Sequence, residues 1–147
     1  MNLFEKKVEI RWSDIDALFH VRHSVYFDYA AYCRISFLNE NGVTPDLMMQ
    51  HNIGPVIFRE ECVFKREIKF GDDIVVNLTL EKSTADMSKW TMINELWKNG
   101  DVLAAIVTVD GAWLDTKLRK LTPALEIIQT AFGQMPRANT FQVFDRK

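Results

Sequence analysis

The feature that most constrains the fold is a helical segment that is apolar around most of its circumference. The segment runs from about Ser24 to Asn39, with Ser24 as its N-cap and Asn41-Gly42 as its stop signal. Its apolar or aromatic residues are Val25, Tyr26, Phe27, Tyr29, Ala30, Ala31, Tyr32, Cys33, Ile35, Phe37 and Leu38. A helix of this kind has no wide polar face for water, so other structure must wrap most of it.

Segments with a period of two supply the structure that would do the wrapping. A first strand is predicted from Phe4 to Trp12, where Val8 and Ile10 alternate with charged neighbours. The later elements are a helical turn at Pro45–Gln50, a strand with one apolar face from Val56 to Phe70, strands at Ile74–Leu80, Lys89–Lys98 and Val102–Leu114, a hairpin turn at Asn99-Gly100-Asp101 and a closing helix at Pro123–Phe132. This order predicts an α+β fold in which one antiparallel sheet surrounds one long helix.

Composition narrows the class of protein. The 147 residues are 48% hydrophobic and 26% charged, which suits one domain over residues 1–147. The formal charge of −2 argues against the broad cationic field of a general nucleic-acid binder. The sequence shows no secretory signal pattern and no segment long enough to span a bilayer. Because Cys33 and Cys62 lie within helix and strand patterns, we expect reduced, buried thiols and a cytoplasmic location.

Reactive residues concentrate in the loop that leads into the long helix. Asp14, Asp16, His20 and His23 lie within ten residues of one another. Free N–H groups at a helix N-terminus stabilise negative charge, so an acyl oxygen could gain charge there while a carboxylate acts as base or nucleophile. The alternative is that both aspartates only turn or cap the loop, which is the commoner use of Asp in such positions.

Other reactive patterns are weaker. His20 and His23 have no convincing third ligand, so we expect no metal. Lys65, Arg66 and Lys69 could meet phosphate groups, although such residues usually form the solvated face of a strand.

Motifs along nearly the whole chain resemble those of the 4-hydroxybenzoyl-CoA thioesterase family of hotdog-fold acyl-CoA thioesterases. The resemblance rests on Arg11–Tyr29 with its Asp-x-Asp and Phe-His-Val, Gly54-Pro55-Val56-Ile57, Phe64-x-x-x-Ile68-x-Phe70-Gly71-Asp72, Trp113-Leu114-Asp115 and Arg119–Pro123. It implies a single hotdog domain, in which an antiparallel sheet surrounds a central helix. It also implies a homodimer, or a dimer of dimers, with active sites at the subunit interface.

The resemblance further implies an enzyme that hydrolyses an acyl-CoA thioester to a free acid and CoA without a metal or other cofactor. The second carboxylate of the family motif falls on Asp16, and His23 falls where some members carry a functional histidine. The substrate-binding residues we expect are Phe19, His20, Ser24, Tyr26, Gly54, Val56, Lys65 and Arg66.

Two positions depart from the family pattern. Phe19 stands where the family often has Gly, and Trp12 stands where the histidine-bearing members have Tyr. Two alternative functions remain open from the sequence: a module that binds acyl thioesters without hydrolysing them, and a hotdog-type dehydratase or hydratase.

Overall fold

A computed structural model describes residues 3–145 of the chain. Its elements are β1 (Glu5–Val8), α1 (Val25–Glu40), α2 (Pro45–Gln50), β2 (Ile53–Phe64), β3 (Ile74–Asn77), β4 (Thr79–Thr84), β5 (Lys89–Lys98), β6 (Val102–Asp115), β7 (Lys120–Leu121), α3 (Glu126–Gln134) and β8 (Arg137–Phe144). The strands of the described residues form one sheet, and α1 packs against it. The predicted α+β fold with a sheet around a long helix is confirmed.

Strand β5 lies at the centre of the sheet. One of its edges pairs with β6 along nearly its whole length, and the other pairs first with β4 and then with β3. Strands β1 and β8 extend the sheet beyond β3 and β4, and β7 pairs with the end of β6. On the opposite side β2 pairs with β6 and leaves its second edge without a partner among residues 3–145. All pairs are antiparallel except β4–β8, and β8 was not predicted.

The core lies between α1 and the concave face of the sheet. Fully buried members of this core include Val25, Ala30, Cys33, Ile74, Val76, Leu96, Ala105 and Val107. The helix is not wrapped all round, however. Ala31, Tyr32 and Ile35 form an exposed stripe, and the rest of the apolar surface of α1 is largely covered, as the sequence predicts.

The first strand is shorter than predicted. It ends at Val8, and the chain instead forms a 3-10 turn at Trp12–Asp14. The backbone N–H of Arg11 donates to Asp14 Oδ2 at 2.9 Å, which closes this turn. A local hydrogen bond from the backbone to an aspartate side chain therefore overrides the alternating pattern.

The segment Val56–Phe70 also departs from its prediction. Strand β2 ends at Phe64, and its register shifts between Ile57 and Arg59 as in a β-bulge. Phe58 is 60% exposed and Phe64 is 51% exposed, so the apolar face is not buried within one chain. The unpaired edge of β2 explains this exposure.

Two other boundaries differ. The strand predicted at Ile74–Leu80 is divided at Leu78 into β3 and β4, and the N–H of Leu78 donates to the Phe4 carbonyl in line with the register of β1 and β3. Helix α3 begins at Glu126 instead of Pro123. Within the described residues no helix has the length and hydropathy needed to cross a membrane.

Candidate active site

The segment between β1 and α1 contains the two aspartates, and Asp14, the last residue of the 3-10 turn, is the buried one. Asp14 has no solvent exposure. Its carboxylate accepts hydrogen bonds from the Arg11 backbone at 2.9 Å, from Arg11 Nη2 at 3.0 Å and from the Tyr29 hydroxyl at 2.8 Å. Asp14 thereby ties the loop to α1.

These contacts set the charge of the buried network. Burial alone would raise the pKa of Asp14, but hydrogen bonds from Arg11 and Tyr29 outweigh it and hold the pKa below its ordinary value. Burial and the hydrogen bond to Asp14 raise the pKa of Tyr29. At neutral pH the network therefore contains a carboxylate, a neutral phenol and a guanidinium. Both Asp14 oxygens are therefore engaged, by Arg11 of the same segment and by Tyr29 of α1.

Asp16 has the opposite environment, because it is exposed on a tight turn. Its Oδ1 accepts the backbone N–H of Leu18 at 2.9 Å and that of His20 at 3.3 Å. The Asp16 N–H donates to the His20 carbonyl at 2.8 Å, which closes the turn. Oδ2 of Asp16 has no partner among residues 3–145. One oxygen is therefore fixed by the backbone, and the other is available to a ligand or water.

Phe19 occupies the left-handed backbone region in this turn, with φ of 64°. A residue with a Cβ is disfavoured there, whereas glycine is not. This explains physically why glycine suits the position in the family pattern. The backbone of the turn keeps the glycine-like conformation although the residue is Phe.

The start of α1 has backbone donors that no described residue uses. The N–H of Val25 donates to the Arg22 carbonyl at 3.0 Å, so helical hydrogen bonding begins there. The N–H groups of His23 and Ser24 make no hydrogen bond to any described residue, and the Ser24 side chain makes no capping bond. Free N–H groups at a helix N-terminus carry partial positive charge.

An open cleft of about 370 Å³ lies between this helix start and the end of β2. The residues that line it are Asp16, His20, Val21, His23, Tyr26, Phe64, Lys65, Arg66 and Glu67. The structure therefore brings together both predicted catalytic residues and four of the predicted substrate-binding residues. Its wall carries two carboxylates, two imidazoles and two cations.

Sequence reasoning assigned no site role to Phe64 and did not single out Glu67. The Phe64 ring packs edge-on against Tyr26, with centroids 4.9 Å apart. Glu67 Oε2 lies 3.3 Å from His20 Nε2. The isolated bridge between His20 and Lys69 brings the two segments side by side. A pairing so distant along the chain leaves no local signal, although Glu67 immediately follows the Lys65-Arg66 pair.

The remaining predicted binding residues do not line this cleft. Phe19 and Ser24 are exposed and lie beside residues that do. Gly54 and Val56 lie at the start of β2, paired with Leu114 and Ala112. Because a strand rises about 3.3 Å per residue, that end is about 30 Å from Phe64 within the same chain. Their roles stay predictions.

The cysteines do not join the site. Burial raises the pKa of the Cys33 thiol to about 12 and that of Cys62 to about 11. Both thiols are therefore protonated at neutral pH and poor nucleophiles. Among residues 3–145 no three His, Cys, Asp or Glu side chains are grouped so that they could hold a metal ion.

Comparison with known families gives one match over most of the chain. The family model described as the thioesterase-like superfamily matches residues 10–132. A comparison with curated proteins finds no match.

Several solved structures have the same fold. The protein SAV2348 from Staphylococcus aureus, solved in complex with CoA, has a TM-score of 0.84 at 17% identity, over 94% of this chain and 89% of that one. A 1,4-dihydroxy-2-naphthoyl-CoA thioesterase from Synechocystis has a TM-score of 0.80 at 17% identity, over 90% of this chain and 96% of its own. A DHNA-CoA thioesterase from Staphylococcus aureus has a TM-score of 0.81 at 14% identity, with 91% of each chain covered. At these identities the likeness shows the fold alone.

Proposed function

The chain belongs to the thioesterase-like superfamily, and on this premise we propose that it is an acyl-CoA thioesterase whose chemistry takes place in the cleft at the start of α1. In the reaction, water adds its oxygen to the thioester carbonyl carbon and the carbon–sulfur bond breaks. The products are a free carboxylic acid and CoA, whose sulfur receives a proton. The observation that carries the proposal is the exposed Asp16 carboxylate, with one oxygen fixed and one free, in a cleft that is also lined by His23 at the start of α1.

Asp16 is the proposed base or nucleophile. Two backbone N–H groups hold its Oδ1, so the side chain is oriented before substrate binds. Its free Oδ2 can take a proton from water as the water attacks, or can attack the carbonyl carbon itself and form an anhydride that water then hydrolyses. Both routes need the same ionised oxygen in the same place.

The backbone of His23 and Ser24 is the proposed oxyanion site. A tetrahedral intermediate places negative charge on the former carbonyl oxygen, and N–H groups at a helix start stabilise such charge. Removal of one donor of this kind costs on the order of 10²-fold in rate. The His23 imidazole also lines the cleft, so it is available for proton transfer.

Lys65 and Arg66 are the proposed contacts for the phosphates of CoA. Both line the cleft beside Asp16, and both also line an adjoining depression with Asp101, Val102 and Leu103. The cations therefore extend from the proposed reaction centre toward the outer surface. An extended CoA arm with its charged end outward matches that arrangement.

We propose a homodimer, or a dimer of dimers, formed through the free edge of β2. An exposed strand edge pairs readily with another chain. Four apolar side chains are exposed on β2, namely Ile57, Phe58, Val63 and Phe64, and the apolar stripe of α1 lies beside the start of this strand.

Sedimentation at micromolar concentration should show a dimer or tetramer, and Val63→Lys should shift the distribution of species toward monomer. A monomer with full hydrolytic activity would contradict an active site built at the interface.

Two broader expectations complete the proposal. Residues 1–147 act as one domain, and the protein works in the cytoplasm. The location is supported by the free thiols of Cys33 and Cys62, which form no disulfide with each other.

The direct test is release of free thiol from a panel of acyl-CoA esters of increasing length, measured with a chromogenic thiol reagent. We expect hydrolysis of at least one ester, with saturation and loss of activity in Asp16→Asn. Equilibrium binding of the esters without thiol release would favour the binding module. Gain or loss of enoyl absorbance would favour the dehydratase or hydratase.

A further inference from the structure

Four large apolar side chains are exposed where the segment before α1 lies against the segment after β2. Their exposed fractions are 71% for Trp12, 74% for Leu18, 67% for Phe19 and 56% for Phe70. None of the four lines the cleft. Single apolar side chains on a surface need no explanation, whereas a contiguous group of them indicates a binding surface.

The four side chains belong to one area of the surface. The rings of Trp12 and Phe70 meet edge to face, with their centroids 6.3 Å apart. An antiparallel bridge joins His20 to Lys69, and the next position of that register places Phe19 opposite Phe70. The residue before Phe19 continues the area at the tip of the turn. We refer to this area as the loop-tip patch, and its members are Trp12, Leu18, Phe19 and Phe70.

Basic residues flank the loop-tip patch. Arg11 precedes Trp12 in the chain and is exposed. Lys69 precedes Phe70 and is exposed as well. The guanidinium of Arg22, also an exposed residue, contacts the backbone of the 3-10 turn. Exposed aromatic and aliphatic side chains beside Lys and Arg are typical of surfaces that bind anionic lipid.

The charge of this region is opposite in sign to that of the whole chain. Residues 11–24 and 64–70, which form the patch and its surroundings, contain five Lys and Arg and three Asp and Glu, a formal charge of +2. The formal charge of the chain is −2. Glu9 and Asp73, which share a depression with Phe70, bound this basic region on one side. The region therefore favours an anionic partner.

The exposed area also distinguishes between kinds of partner. An aromatic side chain has about 150–250 Å² of surface to bury, so the four residues at their exposed fractions offer on the order of 500 Å². A stable protein–protein interface buries about 800 Å² on each partner. The patch is therefore too small to hold a second copy of the chain by itself. A bilayer surface takes up each side chain separately, and Trp is enriched at the boundary between lipid and water.

We propose that the loop-tip patch attaches the protein to the surface of an anionic lipid bilayer. The four apolar side chains enter the boundary between headgroups and acyl chains, and Arg22 and Lys69 face the lipid phosphates. Asp16 and His20, which line the cleft, lie on either side of the turn tip, so the cleft opens beside the bilayer. The attachment does not depend on hydrolysis, so it stands or falls separately from the proposed function.

Co-sedimentation of the full chain with vesicles tests the attachment. We expect the protein to bind vesicles of phosphatidylcholine mixed with phosphatidylglycerol at least ~10-fold more tightly than vesicles of phosphatidylcholine alone, because the flanking cations attract anionic lipid. Added salt should weaken this binding, and Arg22→Gln combined with Lys69→Gln should remove most of the preference. Absence of binding to the mixed vesicles, or equal binding to both kinds, would overturn the proposal.

The apolar contribution is tested by removing the two rings that contact each other. Trp12→Ser combined with Phe70→Ser should weaken binding to the mixed vesicles by ~10-fold or more. Met49→Ser is the matched control, because Met49 on α2 is 77% exposed and lies outside the patch, and it should bind like the wild type. If the double variant does not fold, Leu18→Ser at the turn tip replaces it. Unchanged vesicle binding in the patch variants, or a change in their sedimentation without lipid instead, would contradict a lipid surface.

Trp12 also reports its own insertion into the bilayer. Trp90 and Trp113 are buried, and the N–H of the half-buried Trp97 donates to Glu95. Brominated lipid should therefore quench the fluorescence of Trp12 and leave that of the other indoles nearly unchanged. Trp12→Phe keeps an apolar ring, so it should bind the mixed vesicles within ~3-fold of wild type and lose most of the quenching. Quenching that persists in Trp12→Phe would place another face of the protein against the bilayer and would overturn the assignment.

Discussion

The buried and the exposed halves of the loop before α1 each contain an aspartate, and the two aspartates have opposite environments. Asp14 is fully buried and accepts hydrogen bonds from Arg11 and Tyr29, whereas Asp16, two residues later, is exposed with one oxygen free. The difference shows that burial and hydrogen bonding, not residue type, decide whether a carboxylate supports the fold or remains available for chemistry. Substitutions that alter one half of the loop should therefore affect stability and activity separately.

We expect Asp16→Asn to give the largest difference between the effect on activity and the effect on stability. The amide keeps the shape and can still accept the N–H groups of Leu18 and His20, but it removes the anionic base or nucleophile. Turnover of the preferred ester should fall at least ~10²-fold, with the free energy of unfolding almost unchanged. Steady-state thiol release and urea denaturation on the same sample check both halves of this expectation. Near-normal turnover would remove Asp16 from the mechanism and direct attention to Asp28 on the first turn of α1.

Asp14→Asn should show the reverse pattern. Loss of the charge weakens the hydrogen bonds from Arg11 and Tyr29 in a buried site, which should reduce the free energy of unfolding by ~1–3 kcal/mol. Turnover should fall much less than in the Asp16 variant. A variant of Asp14 that kept full stability but lost activity would reverse the assignment of the two halves.

The pH dependence of stability adds a second readout for Asp14. Its folded-state pKa lies below the ordinary value of 3.8, so its contribution to stability is complete above that pH. The contribution is lost as the pH falls through the depressed folded-state value. The stability difference between wild type and Asp14→Asn, measured by denaturation at several pH values, should therefore shrink below about pH 4.

Much of the fold and part of the candidate site could be predicted from the sequence. The features that could not be predicted are contacts between residues far apart along the chain and the position of a strand in the sheet. The helix after the loop and the central strands follow from patterns within short segments, whereas the role of Asp16 stays a prediction that comes from the family resemblance. Neither Glu67 beside His20 nor Phe64 against Tyr26 could be found in this way, because those contacts join residues 47 and 38 positions apart along the chain. The exposure of β2 was missed because an alternating pattern does not tell whether a strand lies at an edge or in the centre.

His23→Ala tests a smaller effect in the exposed half. The substitution removes the imidazole but keeps the backbone N–H proposed as an oxyanion donor. We expect turnover to fall by less than ~10-fold, because Trp12 stands where a Tyr accompanies a functional histidine in related proteins. The pH–rate profile near neutrality should also keep its shape. A loss of ~10²-fold, with a changed profile, would show that the side chain transfers a proton.

Phe19 should give the smallest effect, although its backbone is the least favourable in the loop. At φ of 64° a residue with a Cβ costs about 1–2 kcal/mol, so Phe19→Gly relieves strain while it adds a similar entropy to the unfolded chain. The net change in the free energy of unfolding should be below ~1 kcal/mol, and turnover should remain within ~3-fold of wild type. Phe19→Ala is the matched variant, because it removes the ring but keeps the strained Cβ. If Phe19→Gly and Phe19→Ala both keep turnover near that of the wild type, the turn acts through its backbone and the exposed ring is dispensable. A large loss of substrate affinity in both variants would instead show that the ring itself contacts the ligand, as the sequence predicted.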